Sequence, residues 1–346
     1  MPRHTSDTHS RQNRRLGWLV ILAALAGITT ACGSDADIDQ RTVTVYTGRH
    51  YGIEPVFDAF TEATGIAVRF TAGSDPELRE RLTAEGDNTP ADLVIAADAA
   101  NIELAAGAGL LAAVDSESLM KLIPDELRSE KNEWFSLSRR LRVIMYSTER
   151  VTDPPTSYAD LGESRWSGRL CLRPSTHPYT QSLVANLILN RGADEARTIV
   201  ESWVENKPLY INSDTDILKA VAAGDCDVAL ANTYYLARLL GEDPGTPVAI
   251  SWPEQDGSGA HLNVSAAGIT QAAQHPTEAL ELLEWLATDG QKAFSEANFE
   301  YPADPNVAPA DVLVGFGDFT ADVAAVRQLG GLNTDAVDVL SRAGYE

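Results

Sequence analysis

At 346 residues the chain exceeds what one hydrophobic core normally organises, so two domains are the default expectation. Its 50 acidic against 27 basic residues give a formal net charge of −23, with no long basic tract to offset it. Such a surface repels nucleic acid and anionic headgroups, which disfavours DNA, RNA and peripheral membrane binding as functions.

Arg11, Arg14 and Arg15 precede a short apolar run from Leu16 to Ile28, the pattern of a signal peptide. The run is shorter than the roughly 20 apolar residues that a spanning helix needs, and no later stretch approaches that length. It ends in Thr29-Thr30-Ala31-Cys32-Gly33-Ser34, which resembles the lipobox of bacterial lipoproteins, where a cysteine is diacylated and becomes the new N-terminus. Thr29 departs from that pattern, in which Leu is usual. Residues 1–31 are therefore read as a signal peptide with lipobox and Cys32 as the lipidation site. The mature protein is expected on the outer face of the cytoplasmic membrane. Its charge deepens to −26, because the leader carries four Arg and one Asp. Residues 32–40, polar, small and aperiodic, read as a tether.

Residues 42–46 (TVTVY) form a β-branched strand, and Ile53, Val56, Phe57, Phe60 and Ala63 then recur at helical spacing until Gly65. A strand follows at 66–70, a helix at 76–85, a strand at 92–96 and a helix at 102–108. Strand and helix alternate, which predicts α/β architecture with parallel strands. Gly107 to Ala112 (GAGLLA) fits a dinucleotide fingerprint nominally, but it follows a helical pattern rather than a strand and reads as a helix end. Alternation restarts beyond 140, with strands at 141–146, 170–173 and 227–231 and helices at 181–190 and 234–240. Helices then dominate, at 276–288, 290–297, 318–329 and 334–343. The restart predicts a second lobe with its own sheet, the chain crossing near 138–142 and again near 262–268.

In open α/β sheets ligands bind beyond the carboxyl ends of strands. Three such turns carry aromatic or imidazole donors: Tyr46-Thr-Gly-Arg49-His50-Tyr51, Arg173-Pro-Ser-Thr-His177-Pro-Tyr179, and Asn232-Thr233-Tyr234-Tyr235. Asn232 or Thr233 suits a helix N-cap, which puts both tyrosines in the first turn. Consecutive helical residues point about 100° apart, so at a first turn facing a cleft two phenols can converge on one point. Any one of these, taken alone, is more often a packing or surface residue; their coincidence at equivalent turns marks a site. Ferric iron is a hard, highly charged cation suited to anionic oxygen, and a bound metal ion drives a phenol to deprotonate. Four phenolates around Fe3+ would leave a charge of −1, which a nearby arginine would balance; Arg49, Arg139, Arg140 and Arg142 are at hand. His177 is expected to be a solvent-facing loop residue, and Pro178 to constrain the reach of Tyr179. Cys171 and Cys226 form an even pair in an exported chain and are expected to be a disulfide.

At these residues the sequence resembles the ferric-iron-binding proteins of bacterial iron ABC importers. The likeness runs from VTVYTGRHY through WFSLSRRLRVIMY, YTQSLVA and VAAGDCDVALANTYY to NFEYP and FGDF. It implies the two-lobed type II periplasmic-binding-protein fold, α/β with the ligand cleft between lobes. The lobes would be residues 41–138 plus about 265–310, and 139–264 plus about 311–346. It also implies metal ligation by His50, Tyr51, Tyr179, Tyr234 and Tyr235. A synergistic anion such as carbonate would sit near Arg49 and Arg140, and a monomer would deliver its iron to ABC permease subunits. No nucleophile-and-base motif suggests an enzyme. The competing expectation is a binding protein of the same fold for an organic or oxyanion solute, such as thiamine, a phosphonate or a polyamine. Such a site would use Ser, Thr, Gly amides and Arg, or stacking aromatics, at the same turns.

Overall fold

The computed structural model describes residues 41–49, 52–324 and 326–346. The leader, the tether, Cys32 and the candidate ligands His50 and Tyr51 lie outside the described residues. The chain runs β1 (Thr42–Thr47), α1 (Glu54–Thr64), β2 (Ala67–Ala72), α2 (Asp75–Glu85), β3 (Leu93–Ala96) and α3 (Ala99–Gly107), each helix started or stopped by local chemistry. Val56, Phe57 and Phe60 form the buried stripe of α1, and Gly65 ends it at φ 74°, its N–H donating to the Thr61 carbonyl. Ser74 and Glu77 build a capping box on α2, and the Asp98 carboxylate accepts from the Ala100 and Asn101 amides of α3. Past α3 the chain turns at Gly109, φ 72°, so the GAGLLA stretch is a helix end and no phosphate loop.

There follow α4 (Glu117–Leu122), β4 (Phe135–Ser147), β5 (Leu170–Leu172), α5 (Pro178–Arg191), α6 (Ala193–Glu205), β6 (Leu209–Tyr210), α7 (Asp214–Ala223), β7 (Val228–Asn232), α8 (Thr233–Glu242) and β8 (Val248–Ser251). The last elements are β9 (Ala260–Ile269), α9 (Pro276–Ala287), α10 (Gln291–Ala297), β10 (Tyr301–Pro302), α11 (Asp311–Val314), β11 (Ala321–Asp322) and α12 (Asn333–Arg342).

The expectation of a separate sheet per lobe is corrected. One hydrogen-bonded sheet runs β2-β1-β3-β9-β4-β7-β5-β6. Its flanks are parallel, β2-β1-β3 on one side and β7-β5-β6 on the other, and the antiparallel pair β9 and β4 joins them. The two expected crossings are these central strands themselves, with Arg140 opposite Asn263 and Arg142 opposite His261. Because the crossing segments pair with each other, the ladder never breaks. Every residue of β9 is buried, and of β4 only two positions are half-buried, although both strands are rich in polar residues. Polar groups there are costly wherever they lack partners inside the protein.

The helix expected over 318–329 is also corrected. There Ala321 and Asp322 pair in parallel with Ala260 and His261, Phe319 stacks on Trp252 at 4.5 Å, and the Thr320 amide donates to Gln255 Oε1 at 2.7 Å. These tertiary partners replace the helical hydrogen bonds the local pattern would have supplied. α12 beyond it packs against α5 and α6.

Cys171 in β5 and Cys226 just ahead of β7 are disulfide-bonded, with Cα atoms 5.9 Å apart and a sequence separation of 55. The bond ties the two parallel strands whose ends carry Tyr179 and Tyr234. A Cys171→Ser/Cys226→Ser variant should lose about 4 kcal/mol of unfolding free energy on loop-closure grounds. Denaturant midpoints of the two proteins check this; equal midpoints would make the bond energetically idle.

Candidate metal centre

Tyr179 is the second residue of α5 and Tyr234 the second of α8, so each phenol stands just beyond the carboxyl end of a parallel strand. Their phenol oxygens are 3.1 Å apart and share a hydrogen bond. Tyr235 adds a third ring, its centroid 4.2 Å from that of Tyr234 with the planes inclined by 35°. Tyr234 is 4 % exposed, and Tyr179 and Tyr235 are half-buried.

The start of α5 is held by His177. Its Nδ1 accepts from the Tyr179 amide at 3.1 Å, and its ring meets the Tyr179 ring edge-on at 4.6 Å. His177 is thus a half-buried helix cap rather than the solvent-facing loop residue expected. Burial, then the positive charges of Arg173 and Arg142, hold its pKa down to about 3, which keeps the imidazole a neutral acceptor. Pro178 helps rather than hinders: it holds His177 extended, at φ −82° and ψ 131°, the backbone an N-cap needs. Asn232 occupies the N-cap position of α8 without capping it; its Oδ1 accepts from Arg142 Nη1 at 3.3 Å instead.

Strand parity selects the arginines. Arg140 and Arg142, two apart on β4, share a face. Their guanidinium carbons lie 5.7 and 5.9 Å from the Tyr179 ring centre. Arg139 points the other way and donates to the Pro302 carbonyl at 2.8 Å. Arg49, in the turn after β1, lies 5.9 Å from the Tyr234 ring centre. Thr47 Oγ1 holds that turn, donating to the Arg49 carbonyl and accepting from its amide. A side chain at Gly48 would place its Cβ 1.8 Å from Asp75 Oδ1 and push that carboxylate off the Ala97 amide it accepts from.

Two buried carboxylates anchor the four guanidinium groups. Asp214 lies 2.8 Å from Arg142 Nη1 and 3.5 Å from Arg173 Nη1. Glu300 pairs with Arg49 Nη2, accepts from the Ser138 and Ser265 hydroxyls, and lies 3.9 Å from Arg140 Nε. Arg140 Nη2 donates to the Ala97 carbonyl, yet its Nε and Nη1 have no hydrogen-bond partner although the residue is 1 % exposed. Four cations against two anions leave this frame positive. Burial raises all three phenol pKa values, Tyr235 up to about 12, and neighbouring phenols add to the rise. Arg140 and Arg49 pull Tyr179 back, and Arg49 does the same for Tyr234. Without a cation the three are neutral phenols at neutral pH. Among the described residues no group of three or more His, Cys, Asp or Glu is placed to hold a metal ion.

Residues 56–325 match the family of bacterial extracellular solute-binding proteins. The chain belongs to that family. It is 33 % identical over 338 residues to the iron uptake protein A1 of Synechocystis, covering 92 % of this chain and 93 % of that one. A Trichodesmium protein solved in complex with iron and citrate ligands superposes with TM-score 0.83 at 38 % identity, over 88 % of this chain and 100 % of its own. The ferric binding protein of Campylobacter jejuni gives TM-score 0.82 at 32 % identity, with the same coverage. The fold is accordingly the two-lobed α/β architecture of periplasmic binding proteins.

In this solute-binding protein the crossing strand β9 ties helices from both sides of the cleft. Asn263 donates to Asp98 Oδ2 at the start of α3 and to Ser182 Oγ in α5, and it accepts from the Ala99 amide. Ser182 Oγ in turn shares a 3.0 Å hydrogen bond with His261 Nε2. Arg173, Asp214 and Glu300 escaped the sequence reading. Their only signal is that a charged residue next to an apolar strand or helix must be paired if buried, and the sequence does not say with what.

Asp75, beside the Gly48 turn, has its carboxyl pushed up to about 7, first by burial and then by Asp98, against the Ala97 amide, Arg140 and Arg49. A raised carboxyl pKa penalises the ionised form, so stability falls as pH climbs from about 4 to about 7 and is level above. Asp75→Asn keeps the acceptor for the Ala97 amide. It should match the parent at pH 4 and exceed it by on the order of 2 kcal/mol at pH 8, read from thermal melts at both values. A variant that is no more stable at pH 8 than the parent would contradict this.

Proposed function

We propose that this solute-binding protein captures ferric iron, with Tyr179, Tyr234, Tyr235, His50 and Tyr51 as ligands. The observation that carries the reading is the convergence of three phenols, Tyr234 buried and Tyr179 and Tyr235 half-buried, from two strand ends beside three arginines. Phenols gathered away from water need partners for their oxygens, and the one phenol–phenol hydrogen bond leaves lone pairs that a ligand can use. A trivalent ion does so by displacing their protons, and the guanidinium groups stabilise the phenolates that result. The iron named in the relatives supports the same cargo. An oxyanion site would leave helix-start amides free for its solute, whereas the Tyr179 amide is taken by His177.

The unpartnered Nε and Nη1 of Arg140 suit an anion such as carbonate bound with the metal, with Arg49 nearby. The lobes are residues 41–138 plus about 265–310, and 139–264 plus about 311–346. The change of β4's partner from β9 to β7 around Arg142 supports a boundary at its middle. His50 and Tyr51 would close from the first lobe on the tyrosines of the second, coupling metal binding to lobe closure. The closed monomer hands its iron to the permease subunits of an ABC importer. It performs no catalysis, and it is held at the membrane through lipid on Cys32.

Tyr179→Phe, Tyr234→Phe and Tyr235→Phe each keep ring volume and remove only the phenol oxygen. Each should weaken ferric binding by about 100-fold or more and shift or bleach the visible phenolate-to-iron band, with melting temperature little changed. Wild-type colour and affinity in all three would make them packing residues and overturn the ferric reading. Separately, Cys32→Ala should move the protein from the membrane fraction to the soluble exported fraction. Retention of the variant in membranes would refute the anchor.

A further inference from the structure

Glu300 is fully buried, and the ligand set above does not use it. It sits where β4, β9 and the turn after β1 meet. Its Oε1 pairs with Arg49 Nη2, and its Oε2 accepts from Ser138 and Ser265. Ser265 Oγ also accepts from Arg49 Nε at 2.7 Å, so two of the three guanidinium nitrogens of Arg49 are engaged within the protein. Arg140 gives Nη2 to the Ala97 carbonyl and is left with Nε and Nη1, and Nε is 3.9 Å from Glu300. An anion entering beside the phenols meets two guanidinium groups whose charge is already half neutralised by this one carboxylate.

We propose that Glu300 is a built-in counter-anion that competes with exogenous anions for Arg49 and Arg140, and thereby sets which ferric species the cleft takes. With Glu300 ionised between them, the two arginines offer one net positive charge. That matches a small anion or none. A polycarboxylate would bring several negative charges toward a buried carboxylate in a medium that screens poorly. The site therefore selects ferric iron stripped of polycarboxylate chelators over the chelate itself. Ser138 and Ser265 serve to hold the carboxylate in place, and Glu300 is a positioning and selectivity residue rather than a ligand.

The inference rests on the ferric reading, and one experiment separates their failures. Metal-free wild type, Glu300→Gln and Glu300→Asp receive ferric chloride in bicarbonate-free buffer. Each is then titrated with citrate while the phenolate-to-iron band is followed. Glu300→Gln should bind citrate on the loaded site about 10-fold more tightly than wild type, the effect of one buried charge, whereas Glu300→Asp should stay within about 3-fold. Equal citrate affinity in wild type and Glu300→Gln overturns the counter-anion role while the band leaves the ferric reading intact. No band in wild type overturns both. Circular dichroism checks folding. If Glu300→Gln does not fold, Arg49→Gln is compared with Arg49→Gln/Glu300→Gln, in which the buried pair is replaced by neutral groups. The double variant should take citrate about 10-fold more tightly than the single, and no difference would overturn the proposal.

Discussion

Two carboxylates buried among four arginines hold the cleft together. Asp214 lies between Arg142 and Arg173, and Glu300 between Arg49 and Arg140, all of them nearly inaccessible to water. Removing one partner of such a pair typically costs about 3–5 kcal/mol, because the other charge stays buried without compensation. The pairs therefore do little for net stability relative to an apolar core, but they allow only one arrangement of the strands that carry them. β1, β4, β7 and β9 each contribute a side chain or a carbonyl to the frame or to the turn leading into it.

The tyrosines depend on this frame. Burial lifts their phenol pKa values further above the ordinary one, which disfavours the phenolate, yet two of the rings lie within 6 Å of guanidinium groups. The same environment thus resists deprotonation in the absence of a cation and would stabilise a phenolate formed on one. Two independent devices fix the geometry. The imidazole cap of His177 orients the start of α5, and the Cys171–Cys226 bond fixes the spacing of β5 and β7 at their base.

Polar residues inside a two-sided buried strand are costly unless every group is partnered, which explains the density of cross-links on β9. Asn263 uses both amide hydrogens and its carbonyl oxygen, reaching α3 on one side and α5 on the other. A strand that joins two halves of a sheet and is bonded to a helix from each half is where relative motion of those halves would be felt first.

Much was legible from residue order alone. The strand and helix alternation and the aromatic residues at strand ends follow from local periodicity and turn chemistry, which short-range forces decide. Tyr234 and Tyr235 could be placed in a helix's first turn because Asn232 and Thr233 precede them. Local pattern misled at 318–329, where apolar spacing suggests a helix but Trp252, Tyr301, Gln255 and the edge of β9 supply better partners. It was also silent on α6 and α7, and it mistook the role of His177, since capping depends on where one ring nitrogen falls. The union of the two halves in one sheet, the pairing of Glu300 with Arg49 across 251 positions and that of Asp214 with Arg142 across 72 are facts of the tertiary structure. Sequence determines which charges exist and which faces they share. Only the folded chain decides which of them lose water together, and a buried charge is defined by that loss.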